Sequence, residues 1–418
     1  MVNSTTALLV IAWRNIWRNT RRTVLCVIAV GIAVFFIILM RSWMDGMFNG
    51  IEDVVRTYDT GHVSVVSKQY NEDQEYYPVQ FPVEEEESAN VLINKIENIK
   101  GVKAVLPRIT SYATLFDSTK KHALVWGVDI NKESSINHLN LTEKTNGLID
   151  GRFAEDDKNE CAIGITMAQK NGFKIGDQIP MKMVSAQFSD KYWSPVITGI
   201  YKFDYSRFDE DTIIVPIKRL QKILGLNDAT QQLVIFADRT SHSTVIRNEL
   251  TNLLSDNSHI TEWNENYWVA MFQSMTGIYL IIFAVFQIVA GFLIINTMFM
   301  IVHERIKEIG MMGALGFKRS EIVIVFFLEA LILSMLGAAA GAIVGGTGSL
   351  IWSLYPIDMN SLTGGAMKDF PISGTFYLDF SVATIIEGFL FGVIITGLCT
   401  LVPSLKSAFI QPVEALRR

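Results

Sequence analysis

Four stretches of the chain are rich in hydrophobic residues and hold no acid, lysine or arginine: Thr23–Met40 (TVLCVIAVGIAVFFIILM), Asn266–Val302, Ala330–Ile357 and Gly388–Leu405. Crossing about 30 Å of hydrocarbon takes about 20 helical residues. Each run reaches or extends to that length, so the pattern predicts transmembrane helices at 22–43, 274–302, 322–352 and 380–403. Arg14, Arg18, Arg21 and Arg22 precede the first run as they would in a signal peptide. That run is too long for an h-region, and no small-x-small cleavage site follows before Arg41, so it reads as an uncleaved anchor.

Between the first two spans the pattern changes. Strand-like runs include His62–Val66, Ala123–Gly127, Val196–Tyr201, Thr212–Pro216 and Leu233–Ala237, with turn residues or amphipathic stretches between them. Ala89–Ile99 places Val91, Leu92, Lys95, Ile96 and Ile99 at helical spacing, and Val245, Leu250, Leu253 and Leu254 suggest a second helix. Tyr70–Ser88, with the run Glu84–Glu87, reads as a solvated loop. Met47, Ile51, Val54, Val55 and Tyr58 share one helical face, and the uncharged run before the second span is too long for the bilayer alone. Both ends of the inserted domain are therefore expected to rise as helical stalks, or else to be interfacial connectors anchored by Trp43 and Trp268. The fold class is an α-helical membrane protein with four transmembrane helices and a large mixed α/β domain inserted between helices 1 and 2.

Composition and charge agree with this division. The 418 residues are 50% hydrophobic and 19% charged, an average over two materials. By the positive-inside bias, the segment 1–21, the loop 303–321 and the tail 404–418 are cytoplasmic; with Arg22 at the membrane edge they hold eleven bases and four acids, a net +7. Residues 44–273 and the loop 353–379 are then extracytoplasmic, and with Arg41 they carry −11, leaving Glu329 and Glu387 within spans. Cys26 and Cys399 lie in spans and Cys161 is alone outside, so no disulfide is available within the domain.

Motifs of catalysis are missing. The chain has no G-x-x-x-x-G-K-[ST], H-E-x-x-H, C-x-x-C or G-x-S-x-G, and its six histidines are scattered. Neither a cofactor nor a metal site is expected, and nothing points to nucleic acid. The informative segment is His303–Val325, HERIKEIGMMGALGFKRSEIVIV, where a small, apolar patch is rimmed by charge between two spans. It reads either as a docking surface for a cytosolic partner or as a helix lying flat among anionic headgroups.

The motif E-R-x-x-E-I-G-x-x-x-A-L-G-x-x-x-x-x-I, followed by Glu329-Ala330 and glycines at 337 and 341, resembles the core signature of FtsX/MacB-type ABC transporter permeases. The ending Gln411-Pro412-Val413-Glu414-Ala415-Leu416-Arg417 is similar to the same family's terminus, and the layout of one span, a large domain and three spans also agrees. Trp13–Arg22 (W-R-N-x-x-R-N-x-x-R) and Gly199-Ile200-Tyr201…Asp211…Val215-Pro216 fit its lipoprotein-releasing LolC/LolE branch. The resemblance implies a bacterial inner-membrane permease subunit, itself non-catalytic, served by two copies of a separate ABC ATPase that carries ATP and Mg. It implies a second permease subunit, identical or paralogous, a lipoprotein cargo and a periplasmic carrier. MacB-type efflux of peptides or drugs and FtsX-type signalling to a cell-wall enzyme are the alternatives within the family; a ligand-sensing receptor is the alternative outside it.

Residue by residue, the coupling helix that seats in the ATPase falls on Glu304, Arg305, Glu308, Ile309, Gly310, Ala314, Leu315, Gly316 and Phe317. The carrier-recruiting hairpin of one branch member corresponds to Val184–Val196, which begins similarly and is shorter; its contacts fall on Gln187, Phe188, Trp193 and Pro195. Gly337, Gly341 and Gly345, four residues apart, form a face that admits a close helix, either within the chain or from the second permease. Acids inside a bilayer are costly. Glu329 is expected to order the coupling region, and Glu387 to face a cavity open to the outer leaflet or to snorkel to the headgroups.

Overall fold

The computed structural model describes residues 4–18, 20–70, 77–83, 88–116, 122–137, 147–203, 205–304, 306–355, 357–358 and 375–407. Arg305, the acidic run Glu84–Glu87 and the ending Gln411–Arg417 lie outside the described residues. The chain divides into two units: Met1–Met47 with Ser274–Ile357 and Tyr377–Arg418, and Phe48–Gln273 with Asp358–Phe376.

Helix α1 (Ser4–Arg18) is followed by α2 (Thr20–Tyr58), 39 residues that do not stop where the expected first span ends. Its later part keeps an apolar face, and Met47, Ile51, Val54 and Val55 on that face are buried. An apolar stripe of this kind gives the segment a reason to stay helical after the uniformly hydrophobic run has ended.

The α/β unit is built on one sheet. Its strands are β1 (Val63–Ser67), β2 (Val102–Leu115), β3 (His122–Val128), β4 (Gly147–Gly151), β5 (Glu160–Gly164), β6 (Met181–Val184), β7 (Asp190–Trp193), β8 (Val196–Lys202), β9 (Thr212–Pro216), β10 (Gln232–Ala237) and β11 (Ser258–Glu262). The order is β11-β1-β10-β2-β3-β9-β5-β8-β4, with β6 pairing the far end of β2 and β7 pairing β6. Most neighbours are antiparallel; β3–β9 and β5–β8 are parallel. The helices are α3 (Ala89–Glu97), α4 (Ile130–Asn137), α5 (Ile165–Asn171), α6 (Ser206–Asp211), α7 (Ile217–Leu224) and α8 (Ser243–Leu253).

Alternation along each strand separates the cores. Val63, Val65, Val105, Leu233 and Ile235 pack against Leu92, Ile93 and Ile96 of α3 and Ile246 and Leu250 of α8. Val125 of β3 joins Ile163, Ile213 and Val215 under Leu220 and Leu224 of α7. Its neighbour Trp126 faces the other way, into a cluster with Tyr201, Phe203 and Phe208. Two helical stripes differ from expectation. In α3 the buried set includes Ile93 while Val91 is exposed, and in α8 Ile246 is buried while Val245 and Leu253 are exposed. Leu92, Ile96 and Leu250 are buried as expected and Ile99 and Leu254 pack on the same core, so each stripe was misread only at its edge, an error that adjacent apolar residues invite.

The chain returns through α9 (Tyr267–Glu304), α10 (Ile306–Ala314), α11 (Arg319–Leu354) and α12 (Val382–Ser407). Among the described residues, Thr23–Tyr58, Arg319–Leu354 and Val382–Lys406 are helices long and apolar enough to cross a membrane by length and composition. Helix α9 is 38 residues long, and its side chains are described only in part.

Helices α2, α11 and α12 share a core of Val30, Val34, Ile38, Ala338 and Ala342, with Ile385, Phe389 and Val393 against it. Gly337, Gly341 and Gly345 face α2 of the same chain. A Cβ at 337 would lie 2.7 Å from Val30 Cβ, one at 341 would strike the Gly31 carbonyl oxygen, and one at 345 would lie 3.2 Å from Ile38 Cβ. Of the two expected placements, the stripe takes the one within the chain, where α2 approaches it at backbone distance.

Candidate functional site

The coupling segment begins with α10 and ends in a turn that requires glycine. Gly316 has φ +93°, in the left-handed region that only glycine adopts without strain. There the Phe317 amide donates to the Met312 carbonyl at 3.1 Å, closing the helix end. The chain then starts α11 at once, with the Glu321 carboxylate accepting from the Lys318 amide at 2.8 Å. The A-L-G core of the motif is thus a helix stop followed directly by a helix start.

This turn sorts the expected docking residues into two groups. Ile309 is buried and Phe317 half-buried against Ile322, Phe326 and Ala330 of α11, and Gly310 is buried too, so these three hold the segment in place and are not its outer surface. Glu304, Glu308, Ala314, Leu315 and Gly316 face outward, Leu315 being 76% exposed, and Met311 joins them. Helical periodicity forces the split, because residues 309 and 310 lie on the face opposite 311 and 315. Glu308 also pairs with Arg18 of α1.

Of the two intramembrane acids, Glu329 is buried in α11, and Glu387 is exposed on α12 in the membrane unit.

In the α/β unit, β6 and β7 form the hairpin. Its turn is closed by the Ser185 amide donating to the Ser189 carbonyl at 2.9 Å, with the two hydroxyls 2.7 Å apart. The Gln187 amide donates to the Gly225 carbonyl at 3.0 Å, which holds the turn against the end of α7. Trp193 and Pro195 are buried, and Trp193 Nε1 donates to Asn159 Oδ1, so neither is available to a partner. Phe188 is exposed, at φ +57°. The surface is completed by residues the motif comparison passed over: Val184, and Tyr192 stacked on Phe116 with centroids 6.1 Å apart. Strand alternation could have found Tyr192, since Trp193 beside it points inward.

A second constellation, unmarked by any sequence motif, receives the end of α2. The last carbonyls of a helix have no partner within it. Here Arg108 of β2, 1% exposed, donates from Nη2 to the Thr57 carbonyl at 2.7 Å and from Nη1 to the Asp59 carbonyl at 3.4 Å. Its Nε and Nη2 donate to the two oxygens of Glu133, at 2.7 and 3.1 Å, and its guanidinium lies 4.8 Å from the Trp126 ring centroid. Asn137 donates to Glu133 at 2.7 Å. A fully buried cation thus caps the negative end of a helix dipole and is itself neutralised by a buried acid. Beside it, Tyr58 packs on Phe203 and Phe208, and Asp59 Oδ2 accepts from Asn266 Nδ2 at 2.7 Å. Asn266 caps the start of α9 through the Trp268 amide at 3.0 Å. One hydrogen bond therefore joins the end of α2 to the beginning of α9. Burial raises the Asp59 carboxyl, against the pull of Asn266, Arg108 and Arg207.

Near this root, His62 packs on Phe236 and has Nδ1 buried without a partner among the described residues. Burial, then Arg56 and Lys103, push its imidazole down to about 4. An unfolded histidine titrates near 6.5, so between those values the unfolded chain binds the extra proton and stability falls as pH falls. Compared with His62→Phe, the wild-type protein is expected to lose urea resistance between about pH 6.5 and pH 4. Equal pH dependence of the two midpoints would refute this; the comparison separates His62 from Asp59.

Sequence comparison gives this geometry its family. The MacB-like periplasmic core domain matches residues 23–253, more than half of the chain, and the FtsX-like permease C-terminal domain matches 280–412. The chain belongs to the FtsX/MacB-type ABC transporter permeases. Among curated relatives, an uncharacterised ABC transporter permease of Methanocaldococcus jannaschii is 23% identical over 97% of this chain and 96% of its own. The lipoprotein-releasing system transmembrane protein LolC of Xylella fastidiosa is 21% identical over 76% of this chain and 78% of its own. The macrolide export ATP-binding/permease protein MacB of Bdellovibrio bacteriovorus is 24% identical over 64% of this chain and 41% of its own. A second permease of M. jannaschii is 26% identical, and the matched stretch spans 55% of its length. Among solved structures, the extracellular domain of YknZ from Gram-positive bacteria aligns over 48% of this chain and 99% of its own, at 14% identity and a TM-score of 0.33.

Proposed function

We propose that this permease is the transmembrane subunit through which a separate ABC ATPase drives extraction of lipoproteins from the bacterial inner membrane toward a periplasmic carrier. The observation that carries the coupling role is the outward surface at the end of α10, where Leu315 stands 76% exposed in a turn braced from behind by α11. An apolar side chain held out on such a support gains by burial against a partner. The lipoprotein cargo rests on the Trp13–Arg22 motif and on the likeness to LolC over three quarters of the chain. In this reading α2, α9, α11 and α12 are four spans, both termini are cytoplasmic, and the α/β unit is periplasmic. ATP and Mg stay on the ATPase, which is present in two copies, and a second permease completes the complex. The second reading, MacB-type efflux, is favoured by the MacB-like core domain match and by the short hairpin, whose exposed large apolar side chains are Val184, Phe188 and Tyr192, with Phe116 of the neighbouring strand end beside them.

Leu315→Arg is expected to lower recovery of the co-purified ATPase by roughly tenfold or more while leaving thermal stability unchanged, since the side chain packs on little of its own chain. Undiminished co-purification would sink the docking role. Mass spectrometry of the complex taken from native membranes separates the cargoes: acylated lipoprotein supports release, and an outer-membrane exit duct or a cell-wall hydrolase supports a rival.

A further inference from the structure

Helix α1 presents three parallel stripes, each spaced by four residues. Leu8, Ala12 and Ile16 are buried, on a helix that packs against α11. Beside them Leu9, Trp13 and Trp17 are 46, 48 and 62% exposed, the two indoles in edge contact. The next stripe is Val10, Arg14 and Arg18, continued by Arg21, and there is no acid before Asp45. The Thr23 hydroxyl donates to the Ile16 carbonyl at 2.7 Å, tying the end of α1 to the start of α2, whose own first turns expose Val24, Leu25 and Ile28. The exposed stripe of α1 is thus tied by its C-terminal end to a helix that is itself apolar on its outer surface. Indoles next to arginines match the boundary between acyl chains and phosphates. Unopposed positive charge selects anionic headgroups as the occupant. Arg18, however, also pairs with Glu308 on the outer rim of α10. The side chains of the pair are 55 and 39% exposed, and an ion pair this open is weak enough to exchange partners.

We propose that α1 lies in the cytoplasmic headgroup layer and that anionic lipid and Glu308 compete for Arg18, so that the lipid composition of that leaflet sets how firmly α1 holds the coupling helix. The regulatory meaning rests on α10 being the ATPase dock; the lipid exchange itself does not. The test uses the full-length permease alone, in nanodiscs of phosphatidylcholine or of phosphatidylcholine mixed with phosphatidylglycerol. Cys26, Cys161 and Cys399 are replaced by alanine, and nitroxides are placed at Val10→Cys and Met311→Cys, both exposed positions. The label at 10 is expected to be accessible to oxygen and shielded from a water-soluble nickel chelate. Phosphatidylglycerol is expected to shift the distance between the labels to a longer, broader distribution. Glu308→Gln should show that distribution already in phosphatidylcholine, and Arg14→Gln with Arg21→Gln should lose the shift. Identical distances in both lipids, or a label at 10 shielded from both reagents by a protein contact, would overturn the proposal. No ATPase is present, so failure of the docking role shows separately, in the Leu315→Arg co-purification.

Discussion

Arg108→Met is expected to destabilise the full-length protein by about 3–5 kcal/mol, the cost of leaving a buried charge without its partner. Glu133 has no exposed surface and keeps only the Asn137 amide once the guanidinium is gone. The carbonyls of Thr57 and Asp59 lose the Arg108 guanidinium at the same time and keep neutral amide donors, Asn137 at 3.5 Å and Gln232 at 3.2 Å. Two effects are superposed, and a second variant parts them. Arg108→Met with Glu133→Leu removes the stranded charge, and apolar replacement of a buried pair is often close to neutral. The double variant is therefore expected to recover most of the loss in urea unfolding, yet to leave the end of α2 without its charged cap. Hydrogen exchange should show this locally, as faster exchange of the Asp59 and Thr60 amides, which bond the Val55 carbonyl. If the double variant is no more stable than the single one, the cost lies in the helix end and not in the ion pair. If Arg108→Met changes neither stability nor exchange, the capping role is wrong. In the proposed machine, the double variant would keep ATP hydrolysis and lose cargo release, because α2 enters the α/β unit through these bonds.

The reason this site escaped the sequence is the same physics that makes it strong. Arg108 sits in the middle of β2, next to Pro107, and both residues argue against a strand; the longest strand of the sheet was absent from the expected runs for that reason. Its partner Glu133 lies 25 residues away, beyond any periodicity. The segments that were legible are those where one local rule decides. Thr212–Pro216 is apolar after its first residue and is buried at every position in β9, and Ala123–Gly127 lies within β3. Spacing found α3 and α8 and most of their buried positions, but took Val91 for Ile93 and Val245 for Ile246, because in VLI or TVI a shift of one residue leaves a stripe that still looks apolar. The coupling motif shows the same limit. Its sequence marked the segment, whereas the inward turn of Ile309, Gly310 and Phe317 depends on α11.

The glycine stripe yields the other large effect. Gly341→Leu is expected to abolish the packing of α11 on α2 and with it recovery of folded protein. The added Cβ would meet the Gly31 carbonyl oxygen, a backbone atom that cannot rotate away, and would lie 2.9 Å from Val34 Cβ. Overpacking a tight core already costs about 1–3 kcal/mol when side chains can yield, and here the obstacle is the opposing helix itself. A graded series distinguishes this from a general intolerance of larger residues. Among the described residues, a Cβ at Gly348 meets only Leu39 Cδ2, at 3.4 Å, and one at Gly277 meets nothing within 4 Å. Alanine at either position should leave the melting temperature in detergent within a degree or two of wild type, whereas Gly341→Ala should already lower it clearly. Because the stripe faces α2 of its own chain, the loss should appear in the permease expressed alone. A Gly341→Leu protein that folds normally by itself and fails only when the second permease is added would return the stripe to the interface between subunits.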